Sequence, residues 1–365
     1  METGQIRALG PAPLASARYT MPFTLAEQQA RSRWQRFQDC VDAAKAGGYT
    51  VPAGHRTVVV TNVSIDWWGS PGAVYLDGTG LGSVSVAHEL LHGYGLGHSF
   101  SNDTGYRNAP WSQPGEYDDP WDEMSAANVY GSGWNGTYGS TLPVGLVGYQ
   151  LDRLGWTDRT RVATAGSGWS TRTLTSFQSP DASSPQLLRV PIGTDPFHYY
   201  TVEFTRKLGY SAGIPADLVL IHEIVNGTPY LQRTLDGGAR LPLSALNANG
   251  VSISATISGA TASVTVYTAS STPVYGPNTC VGGYVWREGD VRDYACVTGA
   301  TRLQTAADNA ARTSRWVNGP YGPHTCVNGY VWREAWPGDD VCVTGAVRAQ
   351  AAADNAATAS RVLHP

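Results

Sequence analysis

The sequence predicts an α+β protein, and three observations lead to this fold class. An apolar, histidine-rich segment at 84–99 has the spacing of an amphipathic helix. Short runs between residues 172 and 267 alternate apolar and polar side chains with turn residues between them, which is typical of an antiparallel β-sandwich. Beyond residue 274 the chain repeats itself at an offset of 46 residues. We therefore expect four units, at residues 1–158, 159–268, 274–318 and 319–365.

The N-terminal part begins with a Gly-, Pro- and Ala-rich stretch at 1–20, which we interpret as an extended arm. Thr24 and Glu27 form a capping box, so we expect a helix from there to Gly47. Two β-branched runs predict strands, at 56–63 and 73–76.

The central segment contains an H-E-x-x-H-x-x-G-x-x-H motif. On a helix, His88 and His92 lie one turn apart on one face, so both imidazoles can reach one metal ion. The backbone must turn before His98 can join them, and Gly95 tolerates the positive φ that this turn requires. Three protein ligands leave a fourth position for water, which Glu89 is placed to deprotonate. This pattern indicates a catalytic zinc site.

The alternative is a helix with solvated histidines, and the frequency of the motif argues against it. The chain has 8 His and 42 Gly in 365 residues. In a scrambled chain of this composition, the fixed positions would match on the order of once in 100,000 sequences. The motif therefore favours a metal site over a structural helix.

A second signature follows the motif, in the segment from Glu116 to Ser125. Its Met124 looks like a Met-turn, and the two motifs together resemble the metzincin zinc endopeptidases. The run Asp119-Pro-x-Asp122-x-Met124 and the later Val-Gly-Tyr-Gln-Leu-Asp-Arg-Leu-Gly-Trp at 147–156 look most like the secreted gametolysin-type branch. The resemblance covers roughly residues 56–160.

The resemblance implies a metzincin-type catalytic domain, with a mixed sheet and an active-site helix, and a role for each motif residue. His88, His92 and His98 would be ligands of Zn²⁺, Glu89 the general base, and Met124 the apolar floor beneath the metal. The resemblance further implies that an edge strand before the helix pairs with extended substrate, and residues 72–76 are the candidate. Trp67 and Trp68 are candidates for the cleft wall, with core packing the alternative for one of them.

One position departs from the metzincin pattern. Some metzincins carry a tyrosine two residues after the Met-turn methionine, and here that position is Ala126. A tyrosine-assisted role at the metal would then need another residue, for which Tyr130 and Tyr94 are candidates. After this loop, residues 142–156 are expected to form a helix that closes the catalytic domain.

The loop between the two motifs is rich in carboxylates. They could hold a structural Ca²⁺, but no EF-hand spacing is present, so solvated loop carboxylates are favoured. The residues concerned are Asp103, Glu116, Asp118, Asp119 and Asp122.

The region from 160 to 268 is predicted to contain six strands, at 172–177, 187–192, 198–205, 218–224, 251–257 and 262–267. Within it, His222 and Glu223 imitate half of a zinc motif. The position of the second imidazole is occupied by Asn226, and the segment alternates like a strand. We therefore expect His222 to be structural.

The cysteines indicate an oxidising compartment. Cys280 and Cys296, and likewise Cys326 and Cys342, are separated by 16 residues within the repeats, and there is no C-x-x-C pair. Two local disulfides are the simplest interpretation. For Cys40 we favour a buried helical thiol over a zymogen-type cysteine that blocks zinc, because the Pro/Gly context of such a switch is missing.

The C-terminal repeats are expected to follow a linker at 268–273. Each repeat is interpreted as a short strand, a disulfide loop and an Ala-rich helix. Their aromatic side chains could stack on cell-wall polymer or polysaccharide, or could pack as a small core. The aromatic residues concerned are Tyr284, Trp286, Tyr330 and Trp332.

Composition excludes several classes of function. The formal net charge of −4 argues against nucleic acid as a partner, because phosphate binding requires a basic face. No apolar run approaches the length of a membrane span. The first residues lack the pattern of a signal peptide, so we expect a mature form or a trimmed start of a secreted protein.

The function that these observations favour is a secreted zinc-dependent endopeptidase that acts on protein or glycoprotein. One alternative is an adhesion protein that binds wall material or glycans through its repeats and has a vestigial metal site. Another keeps the hydrolase chemistry but acts on cross-linked or glycosylated wall material.

Overall fold

The computed structural model describes residues 19–49, 55–78, 83–103, 112–128, 144–232 and 245–364. Most of the expected N-terminal arm, Tyr130 and the first two residues of the expected helix at 142–156 lie outside these ranges. The described residues form a mixed α+β structure with several sheets. Among them, none of the helices combines the length and apolar character that a bilayer span requires.

Two helices form where the sequence predicts one. They are α1 (Leu25–Gln29) and α2 (Arg33–Ala46). The capping box of Thr24 and Glu27 is confirmed at the start of α1. A second capping box, between Ser32 and Gln35, starts α2, and because an N-cap residue has extended backbone dihedrals it interrupts the helix.

A three-stranded sheet packs against these helices. Its strands are β1 (Thr57–Thr61), β2 (Trp68–Ser70) and β3 (Ala73–Asp77), in the order β1-β3-β2. The expectation that residues 72–76 are an edge strand is wrong, because β3 pairs in parallel with β1 and antiparallel with β2. The two edge strands are β1 and the three-residue β2, and β2 is too short to show an alternating pattern in the sequence.

Four short elements carry the site and connect it to the rest of the chain. They are α3 (Ser83–Gly93), β4 (Phe100–Ser101), a 3₁₀ helix (Glu123–Asn128) and α4 (Gly148–Arg153). The expected helix at 142–156 is therefore shorter than predicted. Gly145 has a φ of 89°, and its carbonyl accepts a hydrogen bond from the N–H of Glu123. A helix cannot pass through a residue with positive φ, so α4 begins after it.

The expected sandwich is present as two packed sheets, but the six-stranded sheet is mixed and not antiparallel throughout, because its two outer strand pairs are parallel. All six predicted strands are confirmed, and three more complete the set: β5 (Val162–Thr164), β6 (Gly168–Thr175), β7 (Leu187–Pro191), β8 (His198–Thr205), β9 (Leu218–Val225), β10 (Thr228–Leu231), β11 (Ala245–Ala248), β12 (Val251–Ser258) and β13 (Thr261–Thr268). One sheet has the order β4-β10-β9-β8-β7-β5 and the other β11-β12-β13-β6. Their inner faces share one apolar core.

The sandwich also supports the segment that follows the histidine motif. The strand β4, two residues after His98, pairs in parallel with β10 at the edge of the six-stranded sheet. A separate apolar cluster joins Trp121 to Leu218 and Leu220 of β9. Contacts thus cross the expected boundary at residue 158, and the division into domains stays a prediction.

The two C-terminal repeats have matching elements. The first contains β14 (Val285–Trp286), β15 (Cys296–Val297) and α5 (Gly299–Ala311), and the second contains β18 (Val331–Trp332), β19 (Cys342–Val343) and α6 (Gly345–Ala357); β16 (Trp316–Gly319) and β17 (Gly322–Cys326) lie between them. Both predicted disulfides are confirmed, Cys280–Cys296 and Cys326–Cys342.

Residues 268–273 are not a free linker, contrary to expectation. Thr268 and Ser270 are buried, and their hydroxyls donate hydrogen bonds to the carbonyls of Pro191 and Gly193. The first repeat also docks on the segment after α4, where the Tyr294 hydroxyl donates to the carbonyl of Thr157 at 2.9 Å. These hydrogen bonds attach residues 268–273 to the sandwich and attach the first repeat to the segment after α4.

Candidate metal centre

The helix α3 lies close against the three-stranded sheet, and two glycines permit this approach. A Cβ on Gly69 of β2 would lie 2.4 Å from the carbonyl oxygen of Glu89. A Cβ on Gly93 would lie 2.7 Å from a methyl group of Val74. Because neither position has room for a side chain, the sheet fixes where α3 presents its histidines.

The end of α3 turns the chain back toward the helix, as the motif predicts. Gly95 has a φ of 94°. Its N–H donates to the carbonyl of His92, and the N–H of Leu96 donates to the carbonyl of Leu91, which is the Schellman pattern. Leu96 is buried beyond this turn. The reversal returns the chain so that His98 reaches His88 and His92.

The three histidines form one cluster. Each offers a ligand nitrogen, and these nitrogens all lie within 4.8 Å of one another, so the cluster could hold a metal ion. The Nε2 atoms of His88 and His92 are 2.9 Å apart. The ring of His98 stacks on that of His88, with centroids 5.5 Å apart.

Hydrogen bonds at Nδ1 fix the tautomers of the two helical histidines. Nδ1 of His88 lies 3.1 Å from the carbonyl oxygen of Glu123, and Nδ1 of His92 lies 2.7 Å from that of Leu96. A carbonyl oxygen can only accept, so each Nδ1 carries the proton and each Nε2 of a neutral ring presents a lone pair. Two lone pairs then face each other across 2.9 Å.

A shared proton does not relieve this repulsion at neutral pH. Burial and the neighbouring His92 lower the pKa of His88 to about 3. Burial also lowers the pKa of His92. A cation coordinated by both Nε2 atoms removes the repulsion, and neutral imidazole is the form that binds transition metals. The donor set therefore fits a metal such as Zn²⁺.

The third histidine is held by two side chains that follow one another in the loop before the Met-turn. Oε1 of Glu116 lies 2.5 Å from Nδ1 of His98, and the hydroxyl of Tyr117 lies 2.9 Å from Nε2. A carboxylate on Nδ1 orients the ring and makes Nε2 a more basic ligand. Glu116 thus selects Nε2 of His98 as the nitrogen available to a metal.

Comparisons with known proteins identify no family for this chain. No family model, no curated protein and no solved structure matches it. The resemblance to metzincins therefore depends on the motif residues alone, and the structure adds the convergence of their three imidazoles.

Glu89 lies on α3 beside His88 and is half-buried. Burial and the nearby carboxylate of Asp66 raise its pKa to about 7, although Arg33 and a hydrogen bond from the Gly69 backbone oppose the rise. A carboxyl group with a pKa near neutrality can both accept and return a proton under physiological conditions. The group thus has the protonation behaviour of a general base.

Met124 is completely buried in the 3₁₀ helix that follows the loop. The carbonyl of its neighbour Glu123 is the acceptor for His88, and the carbonyl of Met124 accepts from the N–H of Ser99, the residue after His98. The turn therefore connects the first and third histidines through backbone groups. These contacts connect the segment of Met124 to His88 and to the residue after His98, and its role as a Met-turn stays a prediction.

Four of the five loop carboxylates, Asp103, Asp118, Asp119 and Asp122, are buried, and Glu116 is partly buried, so the expectation that they are solvated is wrong. Asp119 accepts from His222, and Asp122 accepts from Ser99 and from the N–H of Met124. Among the described residues, the three histidines are the only group of three or more His, Cys, Asp or Glu side chains whose ligand atoms converge. Asp119 connects the loop to β9, and Asp122 connects Ser99 to the backbone of Met124.

The structural role expected for His222 is confirmed. It lies on β9, is almost completely buried, and its Nε2 is 2.9 Å from Oδ2 of Asp119. Burial lowers its pKa, but the charges of Asp119, Glu203 and Asp122 outweigh this and raise the pKa above the ordinary value.

The sequence predicts no role for Tyr117, and it offers Glu116 only as one of the loop carboxylates that could hold Ca²⁺. Of the tyrosines considered instead, Tyr94 lies beneath the guanidinium of Arg56, 4.0 Å from ring centroid to Cζ, and Tyr130 is outside the described residues. The only feature of the sequence that points to Glu116 and Tyr117 is their position shortly before Met124.

Two further candidates have packing roles. Cys40 is a free helical thiol that is only partly buried; it lies 3.2 Å from Sδ of Met21, and burial raises its pKa to about 11. Trp68 packs edge-on against Trp34 and Phe37, with centroids 6.0 and 6.2 Å away. Trp68 is therefore part of the packing between α2 and the sheet.

Proposed function

We propose that this chain is a secreted zinc-dependent endopeptidase in which His88, His92 and His98 hold Zn²⁺ and Glu89 is the general base. The observation that carries the proposal is the pair of Nε2 lone pairs of His88 and His92, 2.9 Å apart with both Nδ1 protons committed to carbonyls. The two disulfides agree with an extracellular location.

In the proposed reaction, the metal and the side chains of the protein have separate chemical roles. When bound, Zn²⁺ supplies a Lewis acid and lowers the pKa of a water ligand to near ~7. Glu89, with its pKa raised to about 7, takes a proton from the attacking water and returns it to the leaving amine. Glu116 keeps the His98 ring oriented throughout.

The edge strand β2 is the element suited to hold an extended peptide. It lies at the edge of its sheet, and its Gly69 contacts the backbone of Glu89. A substrate strand paired with β2 would be aligned through main-chain hydrogen bonds, which demand no particular sequence. This supports protein or glycoprotein as substrate.

The deciding experiment combines metal analysis with an activity assay. Purified protein should contain about one zinc per chain and hydrolyse an unstructured protein; a chelator should abolish hydrolysis and added zinc should restore it. The His98→Ala variant should lose both metal and hydrolysis, with Cys40→Ala as the matched control that keeps both. Full hydrolysis after complete removal of metal would overturn the proposal. Parallel assays on plain protein and on wall preparations distinguish the three candidate functions. A protease hydrolyses plain protein, an enzyme specific for wall material hydrolyses only the wall preparations, and an adhesion protein hydrolyses neither.

A further inference from the structure

The start of α2 lies beside the edge strand β2, and an arginine connects the two. Nε and Nη2 of Arg33 donate to the two carboxylate oxygens of Asp66, at 2.7 and 2.9 Å. Asp66 stands two residues before Trp68, the first residue of β2. A bidentate pair has a defined geometry, so it fixes the guanidinium of Arg33 next to the beginning of β2.

The charges around Asp66 do not balance, because two arginines share this carboxylate. Nη1 of Arg36 also donates to Oδ2 of Asp66, at 3.1 Å. The other nitrogens of Arg36 donate to the carbonyls of Gln28 and Gln29, and its side chain is only 13% exposed. Two guanidinium groups and one carboxylate leave a net positive charge at this place.

Arg33 presents this charge to solvent. Its side chain is 59% exposed, in contrast to that of Arg36. The pair with Asp66 occupies Nε and Nη2 and does not involve Nη1. The guanidinium therefore has an exposed edge that can bind an anionic group while the pair with Asp66 stays intact.

The exposed arginine lies close to the proposed general base. Burial is the main cause of the raised pKa of Glu89, and among the charged groups Arg33 lowers this pKa and Asp66 raises it. Gly69, whose backbone N–H donates to Glu89, follows Asp66 by three residues, which is about 10 Å of extended chain. Arg33 is thus placed a few residues along β2 from the site of proton transfer.

A substrate strand paired with β2 would pass this arginine. Successive side chains of a strand point to opposite faces of the sheet. Gly69 faces α3, and Trp68 faces α2, where it contacts Trp34 and Phe37. Every second side chain of the substrate would therefore point toward α2, the helix that carries Arg33 and the exposed ring of Trp34.

We propose that Arg33 determines specificity in the proposed endopeptidase and selects substrates that carry a glutamate or aspartate side chain on the α2 side of β2, within about three residues of the cleaved bond. The substrate carboxylate accepts a charge-assisted hydrogen bond from the exposed edge of the guanidinium. This inference rests on the proposed function, because it concerns the substrate of the same site.

Cleavage of matched peptides by the full-length, zinc-loaded protein tests the inference. The peptides share one flexible sequence and differ in a single residue, which is Glu, Gln or Lys and is placed in turn at each position around the cleaved bond. Mass spectrometry of the products locates that bond. At one position we expect kcat/KM to be about fivefold higher for Glu than for Gln, the upper range for a partly exposed ion pair, and lowest for Lys. The preference should shrink as the salt concentration rises.

Variants of Arg33 assign the preference to this residue. Arg33→Gln should reduce the ratio of Glu to Gln peptides below about twofold, and Arg33→Glu should make the Lys peptide the best substrate, because the charge at this position is reversed. Arg31→Gln removes the same charge two residues earlier, where the partner is Asp39 of α2, and is the matched control that keeps the ratio.

The outcomes distinguish this inference from the proposed function. Hydrolysis with equal kcat/KM for Glu and Gln at every position, or a preference for Glu that survives Arg33→Gln, overturns the inference and leaves the proposed function intact. Failure of the zinc-loaded protein to hydrolyse any peptide or unstructured protein overturns the proposed function, and the inference with it.

Discussion

The hydroxyl of Tyr117 lies 2.9 Å from Nε2 of His98, the nitrogen that remains for a metal once Glu116 holds Nδ1. A metal bound at Nε2 would displace the hydroxyl of Tyr117 from this nitrogen but would leave it close to the site. Among the described residues, Tyr117 is also one of five non-glycine residues with positive φ, at 62°, so its backbone is held in an unfavourable conformation that places the ring.

Tyr117→Phe should therefore retain zinc and lower kcat. If the hydroxyl stabilises negative charge on the substrate oxygen, kcat should fall about 10- to 1000-fold, the range for loss of one such donor. Zinc stoichiometry and kcat measured on the same sample check this. An unchanged kcat would show that the hydroxyl serves only the metal-free site.

Glu89→Ala should keep zinc but lose nearly all turnover. In the proposed mechanism Glu89 is the base; it is not one of the three converging side chains, and loss of a general base costs ~10²–10⁴-fold or more. Metal analysis and single-turnover hydrolysis provide the measurement. Equal loss of zinc in this variant would remove Glu89 from the role of base and make it a ligand.

Glu116→Gln should weaken zinc binding without abolishing it. The amide can still accept from Nδ1 of His98 but lacks the negative charge that makes Nε2 basic, and changes of this kind typically cost ~10–100-fold in metal affinity. Competition with a chromogenic chelator measures the affinity. Gln113, whose N–H bonds the other oxygen of Glu116, offers a control in Gln113→Ala, because its own contribution is a backbone group.

Glu203→Gln should stabilise the protein more at alkaline pH than at acidic pH, relative to the unsubstituted protein. Burial, with the charges of Asp122 and Asp119 adding to it, raises the pKa of Glu203 from 4.5 to about 7. Because the folded pKa is raised, the stability that this group contributes is fully present below pH 4.5 and is lost as the pH rises through about 7. The amide imitates the protonated acid and escapes this loss.

Urea denaturation at pH 5 and pH 8 measures the difference. We expect the two proteins to unfold with similar free energies at pH 5, and the variant to be more stable by about 2 kcal/mol at pH 8. A difference that is the same at both values would show that Glu203 is ionised throughout.

Removal of the chain after Thr272 should lower stability more than it lowers peptide hydrolysis. The truncation removes the hydrogen bonds of Tyr294 to Thr157 and of Asn278 to the carbonyl of Asp152, each worth about 1 kcal/mol, with apolar contacts in addition. We expect Tm to fall by roughly 5–10 °C. Hydrolysis of a small peptide well below Tm should persist, since none of the repeat residues contacts the histidine cluster. Loss of hydrolysis at low temperature would make the repeats part of the catalytic fold.

The sequence was sufficient for features that depend on local spacing. Six strands of the sandwich follow from periodicity. The positions of His88 and His92 on a helix, the turn at Gly95 and both disulfides follow from the requirements of a metal site or a cross-link. Each of these features depends on residues that lie close together in the sequence, so the sequence alone predicts it.

Features that depend on contacts between segments far apart in the sequence could not be predicted in this way. Tyr117 reaches His98 from an irregular loop, where no periodicity reveals which side chain points inward. The order of β2 and β3 in their sheet follows from a three-residue hairpin strand that carries no alternation. The carboxylates of Asp119 and Asp122 look solvated in a polar sequence, and only the packing of β9 beneath the loop buries them.

The pairing of the repeat ends limits how many copies such a tail can hold. Val362, after the second helix, pairs with Cys280 of the first repeat, just as Trp316 pairs with Cys326 of the second. In a solenoid each new repeat adds to an open end. Here the last segment returns to the first copy and leaves no open end, so a third copy could join only by displacing it. Gene duplication of this tail would then be expected to proceed by whole pairs of repeats.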